Sequence, residues 1–325
     1  MSGRFEHQVH IDSVVKENLK DCPPILNEYF RRSSGLQASS RHVIVNNAKR
    51  FFSYFEEKGV DTTDNSWLKE ITADDIVDYF FDIKVRTLKS GKQKILSDST
   101  IATMINYLSN FFDFLVKRNY VSVNIAEQAK EYFPKYKIRK KVVYMTPDEV
   151  NIVKNKIIEE SPCPKRDLCI FMLGCRTGLR QSAITEIDIS DIDFENMSIQ
   201  VVEKGNVYKD ILIDPDTIEL IKDCIKERGN IPGEDALFIR FSSEGGIRIT
   251  AWDMRKLLDT YAIDLNKRIT PHKMRSTCAT NLYAKTGDIY IVADRLGHSN
   301  LENTKRYTDT IDKGREAAKI MGSLF

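Results

Sequence analysis

Nothing in this 325-residue sequence stays apolar for the roughly 20 residues that a bilayer-spanning helix needs. The N-terminus shows no basic-then-apolar secretory pattern. Six cysteines are present, Cys22, Cys163, Cys169, Cys175, Cys224 and Cys278, and no two stand in a Cys-x-x-Cys spacing. That argues against a zinc site and against a thiol–disulfide relay. The expectation is buried, reduced thiols in a cytoplasmic protein with no membrane association. A glycine-rich phosphate loop and a carboxylate cluster are both missing, which removes the usual signatures of nucleotide hydrolysis and of metal-assisted phosphoryl chemistry. Internal repeats and low-complexity tracts are missing too. Charge of either sign is not in excess: 49 Lys and Arg against 47 Asp and Glu leave +2. A uniformly basic nucleic-acid binder is disfavoured, whereas one with segregated charge is not.

What is present is ordinary soluble composition, 42% hydrophobic and 30% charged, over a length that predicts about two domains. Residues 1–20 read as a polar tail. Residues 21–134 read as helical throughout. Ser40 to Lys58 sets Ile44, Ala48, Phe51, Phe52 and Phe55 on one stripe; Thr72 starts a helix with Ile76, Tyr79 and Phe80 inward; Ser99 to Lys117 aligns Ile101, Met104, Ile105, Leu108, Phe111, Phe112 and Leu115. Such stripes are core. Thr87 to Ser97 reads as a polar, lysine-bearing loop able to touch phosphates. The sharpest change in composition is the basic run Lys135, Lys137, Arg139, Lys140 and Lys141, read as part of a linker over 135–145 that can lie along DNA phosphates. A second domain, 146–325, opens at the helix start Thr146-Pro147. Arg166 to Arg176 is an apolar helix ending at Gly178, and Arg180 opens the next. Ser198 to Glu203 and Tyr208 to Ile213 alternate like strands around a hairpin signal at Gly205-Asn206, and Ala236 to Arg240 reads as a third strand. Fold class is therefore mainly α with a small β-sheet.

The chemistry is concentrated between Thr270 and Tyr307. Thr270-Pro271 is a helix start, with Thr as cap and Pro in the first turn. His272 and Arg275 fall three apart on the first turn, where the helix dipole favours an anion. Leu296-Gly297 ends a helix, and Ser299 to Glu302 has the spacing of a capping box that starts another. His298 then sits at a helix junction with Tyr307 two turns on.

In order and spacing these residues resemble the tyrosine recombinase (phage integrase, Xer-like) family. The family carries His-x-x-Arg, Leu-Gly-His and, nine residues after that His, a tyrosine; here these are His272, Arg275, His298 and Tyr307. It also carries an Arg in a Thr-Gly-Leu-Arg turn, here Thr177 to Arg180, and a hairpin Lys, here Lys204. The resemblance implies a helical SAM-like core-binding domain ahead of a mixed α+β catalytic domain. It implies an enzyme that cleaves and rejoins a DNA recombination site through a 3′-phosphotyrosine, for integration, excision or resolution. Tyr307 would be the nucleophile, Arg180 and Arg275 the phosphate clamps, Lys204 the general acid, His272 a proton-transfer group and His298 a phosphate hydrogen-bonder. No cofactor and no metal are implied, and self-association to a tetramer on double-stranded DNA is, with the last helix docking on a neighbouring protomer. The sequence departs from the family at Ala183, where an acidic residue is usual and for which Glu186 could substitute, and at Ser276, where a second His is common. The competing reading is a DNA-binding accessory protein that keeps the fold without cutting.

Overall fold

The computed structural model describes residues 13–20, 22–36, 38–87, 93–133, 141–203, 207–242, 245–298 and 300–308. Backbone contacts divide the chain into two compact units, Met1–Ile138 and Arg139–Phe325.

The first unit is built on phenylalanine. Helices α1 (Pro24–Arg32), α2 (Ala38–Glu57), α3 (Ala73–Lys84), α4 (Asp98–Lys117) and α5 (Ile125–Ala129) enclose its core. The 3.6-residue period of each aromatic stripe puts Phe51, Phe52, Phe80, Phe111 and Phe112 inside, each at 1% exposure or less. Phe51 meets Phe55, Tyr79 and Phe112 edge-on, with ring centroids 5.0, 5.2 and 6.0 Å apart. Each such pair is worth about 0.5–1.5 kcal/mol beyond area burial. Thr72 and Asp75 form the capping box that starts α3, and Ser97 caps α4.

Two features of this unit differ from expectation. Residues 13–18 are helical, and Val15 and Leu19 are 1% exposed within the same core, so the polar tail is shorter than 1–20. The stretch around Thr87 to Ser97 is no simple loop. Strands β1 (Val85–Thr87) and β2 (Gln93–Ile95) pair antiparallel with Val85 opposite Ile95 and Arg86 opposite Lys94. The lysine-rich composition masked a strand signal that is only three residues long on each side.

The second unit places helix α7 (Pro164–Thr177) at its centre, packed on α6 (Pro147–Glu160), α9 (Pro215–Arg228) and α11 (Pro271–Thr286). Gly174 lets α7 and α11 approach closely: a Cβ there would stand 2.7 Å from Cε of Met274. The helix start expected at Thr146 is closed by a capping box between Thr146 and Glu149. A three-stranded antiparallel sheet, β3 (Ile192–Asp193), β4 (Ser198–Glu203) and β5 (Val207–Leu212), covers one side, with Ile199 opposite Ile211. The third strand expected over Ala236 to Arg240 falls elsewhere: β6 (Ile239–Ser242) pairs with β7 (Gly245–Arg248) in a separate hairpin, and Ala236 makes only an isolated bridge to Asp188. Helices α8 (Gln181–Thr185), α10 (Ala251–Tyr261), α12 (Ile289–Leu296) and α13 (Glu302–Thr308) complete the unit.

Within the stretch expected to be linker, Val142 and Met145 are buried at 6% and 0%. Met145 accepts from Asn281 at 3.0 Å and donates to the Thr277 hydroxyl at 2.9 Å. Residues 142–145 therefore belong to the packing of the second unit. No helix among the described residues is long and apolar enough to cross a membrane.

Candidate active site

The site begins where α7 stops. Gly178 closes the helix in the left-handed conformation, at φ 67°, and its N–H donates to Gly174 at 3.1 Å. The Thr177 hydroxyl donates to Leu173 at 2.6 Å and accepts from the Leu179 N–H at 3.2 Å, which fixes the turn. Glycine is required here twice over: a Cβ would also lie 2.6 Å from Cδ2 of Leu296 and 3.2 Å from Sγ of Cys278. The turn consequently lies flush against α11 and α12. Buried Leu179 anchors it, and half-buried Arg180 leaves it in extended conformation as the residue before α8.

Arg275 comes from the first turn and a half of α11. Thr270 adopts the N-cap conformation, yet its side chain makes no capping hydrogen bond, contrary to the sequence expectation. Arg275 is only 3% exposed. One guanidinium nitrogen donates to the Gly178 carbonyl at 2.7 Å and the other to the Leu296 carbonyl at 2.6 Å. Those two carbonyls sit at the C-terminal ends of α7 and α12, where helices leave acceptors unsatisfied and the dipole is negative. A single buried cation thus ties the ends of two helices together. Burial first, and then the charge of Arg180, brings its pKa down to about 10, against the opposing pull of Tyr307 and Cys278. It remains charged at neutral pH.

Helix α12 stops at Gly297, again left-handed at φ 66°. The His298 N–H donates to Ala293 at 2.9 Å, and Nδ1 of its ring shares a hydrogen bond with the Thr304 hydroxyl at 2.9 Å. The Asn300 side chain accepts from the Glu302 N–H at 2.8 Å at the start of α13, while Ser299 lies outside the described residues. Thr304 and Tyr307, three apart on one face, are buried at 0% and 1%. Tyr307 packs in a small cluster with Val142, Ala279, Tyr283, Val292 and Leu296. Its ring lies nearly parallel to that of His298, 12° between planes and 6.4 Å between centroids. Arg275 and Arg180 are both close enough to its phenol for the side chains to interact electrostatically.

The field at this point is strongly positive. Desolvation and then the charges of Arg275, Arg180 and Arg306 hold the His298 pKa down to about 4. Exposed His272 is also held below the ordinary imidazole range, by desolvation and by Arg306, Lys273, Arg275 and Arg180. Both histidines are therefore neutral at pH 7, able to donate or accept a proton. Paired guanidiniums beside a phenol suit a phosphodiester: the forks neutralise oxygen charge while the phenol supplies an oxygen nucleophile.

The structure thus brings together Arg180, His272, Arg275, His298 and Tyr307. Lys204 falls in the three-residue connection between β4 and β5, outside the described residues, as do Lys135, Lys137, Arg139 and Lys140 of the basic run; Lys141 is described and exposed. Ala183 is 3% exposed within the apolar core, an environment unsuited to a carboxylate, and buried Ser276 donates to the His272 carbonyl at 3.2 Å. Sequence reasoning missed Thr304, Lys273 and Arg306. Thr304 was legible only through its position three before Tyr307, and the guanidinium of Arg306 lies 5.6 Å from the Tyr307 ring centroid. Among the described residues no group of three or more His, Cys, Asp or Glu side chains is placed to hold a metal ion.

Fold and site together define a helical protein with a tyrosine set against an arginine pair. Residues 144–313, more than half of the chain, match the family model described as "Phage integrase family". The tyrosine recombinase XerC of Vibrio vulnificus is 26% identical over 288 residues, covering 86% of this chain and 84% of that one. The XerH site-specific recombinase, solved bound to a palindromic difH substrate in a post-cleavage complex, superposes with a TM-score of 0.65 at 21% identity, covering 90% of this chain and 83% of that one. The Tn1549 transposon integrase, solved in complex with transposon right end DNA, gives a TM-score of 0.66 at 19% identity, covering 93% and 99%. At those identities the solved structures speak for the fold. The chain belongs to the phage integrase family, the site-specific tyrosine recombinases.

Proposed function

We propose that this recombinase cuts and reseals duplex DNA at a specific site with Tyr307 as its nucleophile. The observation that carries the reading is the buried Tyr307 phenol with two guanidiniums, Arg275 and Arg180, close enough to act on it electrostatically. Arg275 and Arg180 hold the non-bridging oxygens of the scissile phosphate and stabilise the charge that develops on them. The Tyr307 oxygen attacks phosphorus, the bond to the 5′-oxygen breaks, and a 3′-phosphotyrosine remains. Neutral His272 takes the phenolic proton, Lys204 gives a proton to the departing 5′-oxygen, and His298 donates a hydrogen bond to the phosphate while Thr304 fixes its ring. Rejoining is the reverse, with a 5′-hydroxyl attacking the adduct, so the bond energy is conserved. Burial of the phenol means that α13 must shift for it to meet a phosphate.

Double-stranded DNA is the partner. The helical unit, taken as 21–134, grips it as a core-binding domain, the basic run from Lys135 to Lys141 lies along its phosphates, and residues 146–325 cut it. XerH and the Tn1549 integrase were both solved on DNA, which supports this partner. Four protomers assemble on paired sites through the C-terminal residues, in the cytoplasm, in resolution of replicons or movement of a small element. A nicked suicide duplex carrying the site tests the reading. The protein should form a covalent adduct stable to denaturant, and Tyr307→Phe should bind the same duplex without forming one. DNA binding by the unaltered chain with no adduct would instead favour an accessory protein.

A further inference from the structure

Arg306 is the residue before Tyr307 on α13, yet the two are placed differently: Tyr307 is 1% exposed, whereas Arg306 lies in solvent. A cation on a surface helix ordinarily finds a carboxylate three or four residues away. The one acidic residue of α13 is Glu302, four before Arg306, and it is drawn instead to Lys305 at 2.9 Å. Among the described residues no carboxylate pairs with Arg306. What surrounds it is positive. Its guanidinium stands 5.6 Å from the Tyr307 ring centroid, and its charge reaches His272 and Lys273, consecutive residues in the first turn of α11. On His272 it acts more strongly than Arg275 or Arg180 does. Like charges brought together from two helices with no anion between them are unfavourable in the free protein, and an anion there reverses the sign.

The reaction supplies that anion. A DNA strand carries a phosphate at every nucleotide, so a scissile phosphate held by Arg180 and Arg275 has a neighbour on either side. Arg306 is joined to the nucleophile by a single peptide unit. Whatever holds Arg306 therefore limits where the Tyr307 oxygen can go, and that oxygen has to leave its apolar cluster to reach phosphorus.

We propose that Arg306 is a positioning residue: with Lys273 it takes the phosphate adjoining the scissile one and so draws Tyr307 into line for attack. The inference rests on the reading of the chain as a recombinase that cuts through Tyr307, and adds a second phosphate to the one that Arg180 and Arg275 hold.

The test is single-turnover cleavage of the suicide duplex at saturating protein, so that binding affinity drops out. Duplexes with one neutral methylphosphonate, on one or the other side of the scissile phosphate, are run beside the ordinary duplex. R306Q should slow adduct formation at least about 10-fold on the ordinary duplex, the worth of one hydrogen bond to a charged group. One of the two neutral linkages should slow the unaltered protein to a similar extent. Combining that linkage with R306Q should add little further loss, because both changes remove the same contact. R306K, which keeps the charge, should retain more of the rate and the sensitivity to that linkage. An R306Q rate equal to that of the unaltered protein overturns the proposal. So does a loss that multiplies in full with each neutral linkage, the pattern of a general disturbance of α13. Absence of any adduct with the unaltered protein overturns the recombinase reading instead, and the positioning role with it.

Discussion

Gly178→Ala isolates the turn on which the site depends. Two separate costs are visible in the structure. An alanine held at φ 67° is in the left-handed region, at about 1–2 kcal/mol. Its Cβ also meets Leu296 Cδ2 at 2.6 Å and Cys278 Sγ at 3.2 Å in a packed core, an overpacking cost of about 1–3 kcal/mol. The sum is about 2–5 kcal/mol, and for a domain of 150–250 residues each kcal/mol lowers Tm by roughly 2–4 °C, so a fall on the order of 10 °C is expected. Cleavage should suffer as well, because the Gly178 carbonyl is one of the two that hold Arg275. Circular-dichroism melts and suicide-duplex cleavage at a temperature where the variant is still folded provide the two readouts. Repeating the substitution in a Leu296→Ala background removes the closest clash, and the cost of Gly178→Ala should there shrink towards the backbone strain of about 1–2 kcal/mol. The same Tm and cleavage in Gly178→Ala and the unaltered protein, or an undiminished cost beside Leu296→Ala, would refute the reasoning.

Other expectations follow from the same geometry. Arg275→Lys keeps the charge but cannot span both carbonyls, so cleavage should fall at least about 10-fold, on the scale of one lost charge-assisted hydrogen bond, with DNA affinity little altered; wild-type cleavage would remove the two-carbonyl clamp from the account. Thr304→Val deletes the partner of His298 Nδ1 at nearly constant volume and should slow cleavage by about 5-fold, the worth of one hydrogen bond near 1 kcal/mol; an unchanged rate constant would show that the contact does not orient the ring. His298 should titrate in the free protein with a midpoint near 4, by NMR of its ring protons, and Arg180→Ala should raise that midpoint. Because its folded pKa lies below its unfolded value, the unfolded chain binds more protons between the two. Stability present above about pH 6.5 is therefore lost as pH falls towards 4. A midpoint at the ordinary imidazole value would contradict the cationic field. Deleting Lys313 to Phe325 should weaken assembly on paired sites in sedimentation velocity while leaving single-site binding intact; undiminished assembly would argue against C-terminal docking.

Much of this was legible in the chain because local rules and tertiary packing agree there. Thr72 and Thr146 read as helix starts in the sequence, and each closes a capping box in space, with Asp75 and Glu149. The stripe from Ile101 to Leu115 is buried at every position named from its period. Agreement fails where tertiary context decides. Thr270 has the sequence of a cap, but its side chain makes no capping hydrogen bond. Val142 and Met145 follow a basic run that reads as linker, yet the Met145 backbone bonds Thr277 and Asn281 and the Val142 side chain joins the Tyr307 cluster, each across more than 100 residues. The β1–β2 ladder is too short for alternation to register beside so many lysines. At the site, spacing within single motifs placed His272 with Arg275 and His298 with Tyr307. That Arg275 would be buried on the carbonyls of Gly178 and Leu296 is a long-range fact with no local signature.

The central claim is that Tyr307 itself becomes joined to DNA. Trypsin cuts after Arg306 and Lys313, releasing a short peptide that begins at Tyr307. Digesting the trapped adduct with trypsin and nuclease and weighing that peptide tests the claim directly. A nucleotide mass on Tyr307 is the result expected, and a nucleotide mass on any other residue would contradict it.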